Sequence, residues 1–439
     1  MTLDAELIKR KGNQAFMSND FNAALQLCTH ALKLDPDNGI YLLNRAFSYL
    51  KLARWADAEQ GATDALLSAN LSDAQKAKAF LRRGKARKQQ GGPSLHLARE
   101  DFRSYLALSK EQKTPEELEA ETDVGVSGGT FLTDQMASLS TTPARPFVVQ
   151  GKGLAGDGAF ATRPLQRGDL ILEEKPLFQL GDTPTNSQLQ RAVEALSPSE
   201  LCQVLSLHNV KGTVGGMKGI FSEIYFTNVF AAAGLCILAS KFNHACSPNA
   251  RASFHDESGR HRIYALTDIA AGEEIVIPYI QGRNVYGSTR AQRRTRLRFS
   301  HGFECMCKTC SLSEEDVKKS DARRSTLKVL YEQLPLLHPS YHGEQIISLI
   351  IQAITLLREE GYLADADDFA ADAAHVCSSV SDVESARYWA RLAYESRQDE
   401  FGADSAHTIR MKGIMEDPMN KKHHFQAGMF RTQVLSGRL

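Results

Sequence analysis

Three cysteines within six residues, Cys305-Met306-Cys307-Lys308-Thr309-Cys310, are too close together for mutual disulfides and offer three thiolates to one tetrahedral cation. Upstream, Asn243-His244-Ala245-Cys246-Ser247-Pro248-Asn249 sets an amide, an imidazole and a thiol within four residues. Between these stretches, Gly272-Glu273-Glu274-Ile275-Val276-Ile277-Pro278-Tyr279 runs from a turn glycine through a β-like run to a phenol. Further upstream, Gly156-Asp157-Gly158-Ala159-Phe160-Ala161 would let backbone approach a ligand closely, and Gly151-Lys152-Gly153 offers a competing register. Cys28, Cys202, Cys236 and Cys377 stand alone among apolar residues and read as core cysteines.

These residues need a scaffold. A chain of 439 residues suits two to four units, and 42% hydrophobic with 24% charged residues is ordinary for globular protein. No run approaches the roughly 18 apolar residues of a membrane span, and the first residues form a charged amphipathic pattern unlike a signal peptide. The expected setting is cytoplasmic or nuclear, without a membrane. The net charge of zero conceals four blocks: +6 over residues 1–110, −6 over 111–143, +5 over 144–310 and −5 over 311–439. The basic blocks favour acidic partners. Nothing in them calls for specific nucleic-acid binding. The run Arg290, Arg293, Arg294, Arg296 and Arg298 reads as a solvated or carboxylate-pairing helix face.

Residues 5–38 recur over 39–72 at a period of about 34: Lys11-Gly12, Ala15, Ala24, Ala31 and Pro36 answer to Arg45-Ala46, Tyr49, Ala58 and Ala65. A third copy near Ala77 carries Arg83-Gly84, Arg87, Ala98, Phe102 and Tyr105. Residues 111–143 lose apolar periodicity, turn acidic and then Gly/Ser/Thr-rich, and read as a flexible linker. Its Glu116, Glu117, Glu119 and Glu121 could compete for a basic groove. From about Arg323 to Arg410, stripes such as Ile346, Ile350 and Ile354, or Ala386, Ala390 and Ala393, read as packed antiparallel helices.

The N-terminal pattern resembles the tetratricopeptide repeat family. In the subfamily that captures the C-terminal carboxylates of heat-shock chaperones, the clamp positions correspond here to Lys9, Asn13, Asn44, Lys78 and Arg82. The ordered motifs N-H-x-C-x-P-N, G-E-E-I-x-x-x-Y and C-x-C-x-x-C resemble the SET-domain protein-lysine methyltransferases. By architecture the chain is similar to SET-and-MYND proteins, but the insertion at about 181–220 holds one cysteine, so the zinc-binding MYND module is missing, as in fungal-type proteins joining such repeats to a SET domain.

The resemblance implies a multidomain α and mostly-β architecture. A repeat α-solenoid would span 1–110, the acidic linker 111–143, and a SET β-fold 144–310 with a zinc loop at 303–310. A C-terminal helical domain, 311–439, would roof a substrate cleft. It implies S-adenosylmethionine held by Gly156, Asp157, Gly158, Phe160, Asn243 and His244, with Asn228 and Ser240 as further candidates and Phe303 against the adenine. It implies one structural zinc on Cys246, Cys305, Cys307 and Cys310, and a lysine-bearing protein substrate. Tyr279 would orient the acceptor amine beside the cofactor, and Tyr225, Tyr264 or Tyr286 would wall its channel. The rival expectation is a SET fold kept as a non-enzymatic adaptor.

Overall fold

A computed structural model describes residues 3–92, 94–109, 114–115, 117–118, 145–151, 157–181, 184–208, 219–230, 234–280, 286–362 and 364–419. The chain divides into two compact units, residues 1–142 with 183–226, and 143–182 with 227–439.

In the first unit, α1 (Leu3–Met17), α2 (Phe21–Leu34), α3 (Gly39–Lys51), α4 (Trp55–Leu67), α5 (Asp73–Gln90) and α6 (Ser94–Ser109) pack as successive antiparallel neighbours, the arrangement of a tetratricopeptide-type repeat. Short polar side chains start the helices. The Asp20 carboxylate accepts from Ala23 N at 3.0 Å, and Asn38 Oδ1 accepts from Ile40 N at 3.1 Å. The alanines of the repeat signature are small because the helices touch: Ala15, Ala46, Ala58, Ala62, Ala65, Ala86 and Ala98 are fully buried. Gly84 is needed where α5 meets α6, since a Cβ there would stand 2.6 Å from the Phe102 ring. Beside it, buried Asp101 accepts from Arg83 Nη2 at 2.6 Å and Arg87 Nη1 at 2.9 Å, which explains both arginines of the third repeat. Leu118, within the stretch read as linker, is buried with Ala98 and Phe102. The Glu117 carboxylate accepts from Thr114 N at 2.7 Å. Glu116, Glu119, Glu121 and nearly all the rest of 111–143 lie outside the described residues.

The insertion packs on the first repeat. Its helices α7 (Asn186–Ala195) and α8 (Pro198–Leu205) carry buried Leu189, Val193, Leu201, Cys202 and Leu205, and α8 lies against α1 and α2. Cys202 Sγ reaches Ala23 O at 3.7 Å, Lys11 Nζ donates to Leu196 O at 2.5 Å, and Arg10 pairs with Glu194 at 3.6 Å. α9 (Ile220–Asn228) follows.

The second unit is built on β1 (Phe147–Gly151), β2 (Asp157–Ala161), β3 (Leu170–Glu174), β4 (Val229–Phe230), β5 (Gly234–Leu235), β6 (Asn243–His244), β7 (Ala250–His255), β8 (Arg260–Ala265) and β9 (Glu274–Ile277). Three small sheets have the orders β1-β2-β9-β6, β3-β8-β7 and β4-β5. Buried Ala159, Ile171, Phe242, Ile263, Ile275 and Ile277 share one core. The first sheet does the positioning: β9 pairs antiparallel with β2, setting Phe160 opposite Glu274, and parallel with β6, setting Asn243 opposite Val276.

Five helices complete this unit after α10 (Arg290–His301): α11 (Glu314–Gln333), α12 (Pro339–Glu359), α13 (Ala366–Ser379), α14 (Val383–Phe401) and α15 (Ala406–Glu416). Part of their acidity is spent on strand arginines. Arg251 bonds Asp365 at 2.9 Å and fully buried Glu400 at 2.6 Å, while Arg262 reaches Asp404 at 2.8 Å. Among the described residues, no helix is long and apolar enough to cross a membrane.

Candidate active site and metal centre

The four cysteines named above gather although Cys246 precedes the trio by more than fifty residues. Their sulfurs all lie within 4.8 Å of one another, with Cys246 Sγ 3.6 Å from Cys310 Sγ and 3.9 Å from Cys305 Sγ. Four sulfurs about 2.3 Å from a central zinc make a tetrahedron with edges of about 3.8 Å. The donor set fits that ion, and four sulfurs leave no position for water.

Around the sulfurs the polar groups point inward. Cys246 N donates to Cys307 Sγ at 3.4 Å, and hydrogen bonds from the other three thiols hold the Cys307 thiol well below its usual range. Arg293, 1% exposed, brings Nη2 to 3.9 Å from Cys310 Sγ and donates through Nη1 to Ser288 O. Its positive charge offsets the surplus negative charge that four thiolates would leave on a divalent ion. Arg294 donates to Cys305 O at 3.2 Å and Cys310 O at 3.1 Å. The arginine run is therefore a mixed face. Arg290 pairs with Glu314 at 2.6 Å and Arg298 with Glu304 at 2.9 Å, as a carboxylate-pairing surface should, whereas Arg293 and Arg294 serve the cysteine loop.

The loop is held from behind as well. Thr309 donates to Ser247 Oγ at 3.0 Å, Ser247 donates to Glu360 O at 2.9 Å, and the Glu360 carboxylate takes Arg324 Nε at 2.7 Å and Ser320 Oγ at 2.6 Å. Arg324 is fully buried, and its charge is tolerable there because Glu360 meets it.

His244 links this centre to Tyr279. Its Nδ1 accepts from Tyr279 N at 3.0 Å, which puts the proton of a neutral ring on Nε2, 3.4 Å from Cys246 Sγ. Burial pushes the His244 imidazole down to about 4, and burial does the same to His261. Both rings take up a proton near 6.5 when unfolded but only near 4 when folded. Their neutral state thus supports the fold above pH 6.5, and that support is lost as the pH falls from there toward 4. Near pH 5, unfolding is expected to take up about two protons through these rings, a slope of about 2.7 kcal/mol per pH unit. Urea titrations between pH 4.5 and 7 would measure it; a flat profile would show the rings are not buried as described.

Tyr279 Oη donates to Phe242 O at 2.8 Å. Burial, with a contribution from the Glu274 charge, pushes its phenol up to about 12, so it stays protonated at neutral pH. Asn243 Nδ2 donates to Glu274 Oε1 at 2.8 Å across the parallel strands. Gly158 lies over this bond: a Cβ there would stand 2.7 Å from Glu274 Oε1 and 3.0 Å from Asn243 Nδ2. Asp157 pairs with Lys241 at 2.9 Å. Ser240 Oγ donates to Cys236 O at 2.6 Å and lies 3.3 Å from Asn228 O, so this hydroxyl braces backbone. Phe160 is half-buried on β2, while Gly156 lies outside the described residues.

The rings beside Tyr279 are His301 at 4.8 Å, His244 at 5.4 Å and Phe303 at 6.2 Å between centroids. His301 was not anticipated. Gly302, left-handed at φ 73°, ends α10 between His301 and Phe303, and that helix-stop glycine was the available signal. The three tyrosines suggested as walls have other neighbours: Tyr286 packs on Tyr331 and Tyr362, Tyr225 on Phe226, and the Tyr264 hydroxyl abuts Gly402.

A model of the SET domain matches residues 156–280, the segment that holds Gly158, Asn243, His244, Cys246 and Tyr279. Residues 156–280 are thus a SET domain. The chain is 26% identical over 269 residues to "Histone-lysine N-methyltransferase set5" of Schizosaccharomyces pombe, spanning 60% of this chain and 81% of that one. To "Protein-lysine N-trimethyltransferase SMYD5" of Homo sapiens it is 40% identical over 84 residues, 19% of this chain and only 20% of the relative. Among solved structures, "Arabidopsis OM64 TPR domain" matches at 35% identity over 27% of this chain and 94% of that one, with a TM-score of 0.24. "First TPR of Spaghetti (RPAP3) bound to HSP90 peptide SRMEEVD" matches at 27% identity over 27% and 89%, also at 0.24. The SET segment follows the N-terminal repeat module described above.

In that module Asn44 Nδ2 meets Asn13 Oδ1 at 3.4 Å. Arg82 donates to Leu43 O at 2.6 Å and stacks on Phe47, its guanidinium carbon 4.3 Å from the ring centroid; burial pushes it down to about 10. Asn13 and Lys78 are exposed, and Lys9 and Asn44 are half-buried on their helices.

Proposed function

We propose that the protein is an S-adenosylmethionine-dependent protein-lysine N-methyltransferase, cytoplasmic or nuclear, whose repeat groove binds acidic C-terminal peptides such as heat-shock chaperone tails. The observation that carries the enzymatic reading is the meeting of β2, β6 and β9, which brings Gly158, Asn243 and Tyr279 together beside the four cysteines. Gly158 and the Asn243–Glu274 bond would form the floor for the cofactor, with Phe303 against its adenine. S-adenosylmethionine supplies a methyl already activated on a sulfonium, so the residues need only align and desolvate.

A lysine drawn beside Tyr279, His301 and Phe303 loses hydration, which lowers its pKa and frees the lone pair. With its own proton committed to Phe242 O, the Tyr279 oxygen is an acceptor for the amine N–H and turns the lone pair toward the methyl. Cys246, Cys305, Cys307 and Cys310 would hold one structural zinc, tying the Asn243–His244 segment to the loop that carries Phe303. The decisive experiment is calorimetric titration with S-adenosylmethionine followed by radiolabelled methyl transfer to core histones and peptide arrays; absence of cofactor binding would sink the reading.

The groove reading rests on Asn13 and Asn44 in contact, with Lys9 one turn before Asn13 on α1, and Lys78 and Arg82 one turn apart on α5. Such donors suit a terminal carboxylate. For the full chain with the heptapeptide SRMEEVD, Asn13→Ala with Asn44→Ala is expected to weaken binding about 10–100-fold, the worth of one or two hydrogen bonds to a charged group. Calorimetry reporting no change would remove the clamp.

A further inference from the structure

The groove continues past the clamp. Three helices each send three residues to one face at helical spacing: Lys9, Asn13 and Phe16 from α1, Asn44, Phe47 and Lys51 from α3, and Lys78, Arg82 and Lys85 from α5. That these faces meet is shown by contact. Asn13 touches Asn44, Phe16 stacks on Phe47 at 4.4 Å and 25°, and the Arg82 guanidinium carbon lies 4.3 Å from the Phe47 ring centroid. Lys51 Nζ stands 5.7 Å above Phe47 and 5.9 Å above Phe21. The groove therefore has amides and Lys78 at one end, a stacked aromatic wall in the middle, and Lys51 with Lys85 at the other.

The far end is positively charged, and aromatic faces meet Lys51 there. Among the described residues neither Lys51 nor Lys85 pairs with a carboxylate. Lys85 is pushed below the usual lysine range by burial, and then by Lys51 and Arg82, so these cations lie close enough to repel one another. Like charges held together on a half-buried apolar floor are costly until an anion arrives.

We propose that Lys51 and Lys85 form a second anion subsite, which reads an acidic side chain about three residues before a bound peptide's C-terminus, with the Phe16–Phe47 stack taking an apolar residue between. The spacing follows from the helices. Asn44 to Lys51 and Lys78 to Lys85 are each seven residues, about 10.5 Å of helix, which an extended peptide covers in about three residues at about 3.3 Å each. The subsite rests on the peptide-binding reading above and specifies what that groove selects.

The test is a cycle on the full chain by calorimetry, using SRMEEVD, SRMQEVD and SRMKEVD. Lys85→Met keeps the apolar stem; it is expected to weaken SRMEEVD about fivefold and to change SRMQEVD by less than about twofold. Lys51→Met should behave in the same way, and both effects should shrink as salt rises. Lys85→Glu should bind SRMKEVD better than the parent chain does, a gain that misfolding could not produce. Equal losses on SRMEEVD and SRMQEVD, with no gain for the swapped pair, would overturn the subsite while leaving the clamp intact. Failure of the parent chain to bind SRMEEVD at all would overturn both.

Discussion

Tyr279→Phe is expected to bind S-adenosylmethionine within about twofold of the parent chain and to transfer methyl groups about a hundredfold more slowly, the scale of losing alignment at a reacting centre. The substitution keeps the ring between His301 and His244 and removes only the oxygen. Phe242 O then loses its 2.8 Å donor, and an incoming amine loses the acceptor that fixes its rotation. Cofactor titration and single-turnover methyl transfer, run on the same preparation, separate the two effects. A rate within threefold of the parent would mean the phenol does not orient the acceptor. Should neither protein bind cofactor, the adaptor reading takes over.

Removing one sulfur should be felt in stability and in cofactor binding together. Cys246→Ser is expected to lower metal content below one ion per chain, to drop the unfolding midpoint by about 10 °C, and to weaken cofactor binding severely. The temperature shift corresponds to about 4 kcal/mol in a unit of this size. That is a fraction of the roughly 10–16 kcal/mol that structural zinc contributes in small peptides. The reason is local. Without the ion, the Cys305, Cys307 and Cys310 thiols crowd together beside a buried Arg293, and the strand carrying Asn243 loses its tie to the loop carrying Phe303. Elemental analysis with calorimetry on parent and variant decides it; a metal-free protein with an unshifted midpoint and full cofactor affinity would contradict the centre.

How far these features were legible depends on the kind of interaction behind them. The repeats could be read because close helix packing demands small residues at a fixed period, and Ala46, Ala58 and Ala65 are buried for that reason. The trio Cys305, Cys307 and Cys310 read as a ligand set by spacing alone, but Cys246 could be added only through family likeness, since nothing in a one-dimensional chain ties residues 246 and 305. Arg293 was hidden in a run of arginines: hydropathy reads every arginine as surface, whereas a buried one is paid for by specific sulfur and carbonyl partners. The parallel pairing of β6 with β9, two residues on one side, is too short to leave a pattern, yet it sets the Asn243–Glu274 bond. Likewise Leu189, Val193, Leu201 and Leu205 give the insertion a buried side that was not anticipated, and nothing in the chain told what covers it.

What covers it has a practical side. Residues 186–205 interrupt the strand-bearing half of the sequence, yet they are folded against α1 and α2, with Cys202 on Ala23 and Lys11 on Leu196. The chain thus crosses between its halves more than once, and neither half is severable by a single cut. A fragment starting at residue 145 would strip the cover from Leu201 and Leu205; one ending at residue 118 would bare the matching side of the first hairpin. Evolutionary loss of the repeats by simple truncation would therefore leave a sticky remnant, which gives selection a reason to keep the repeats and the SET segment on one polypeptide.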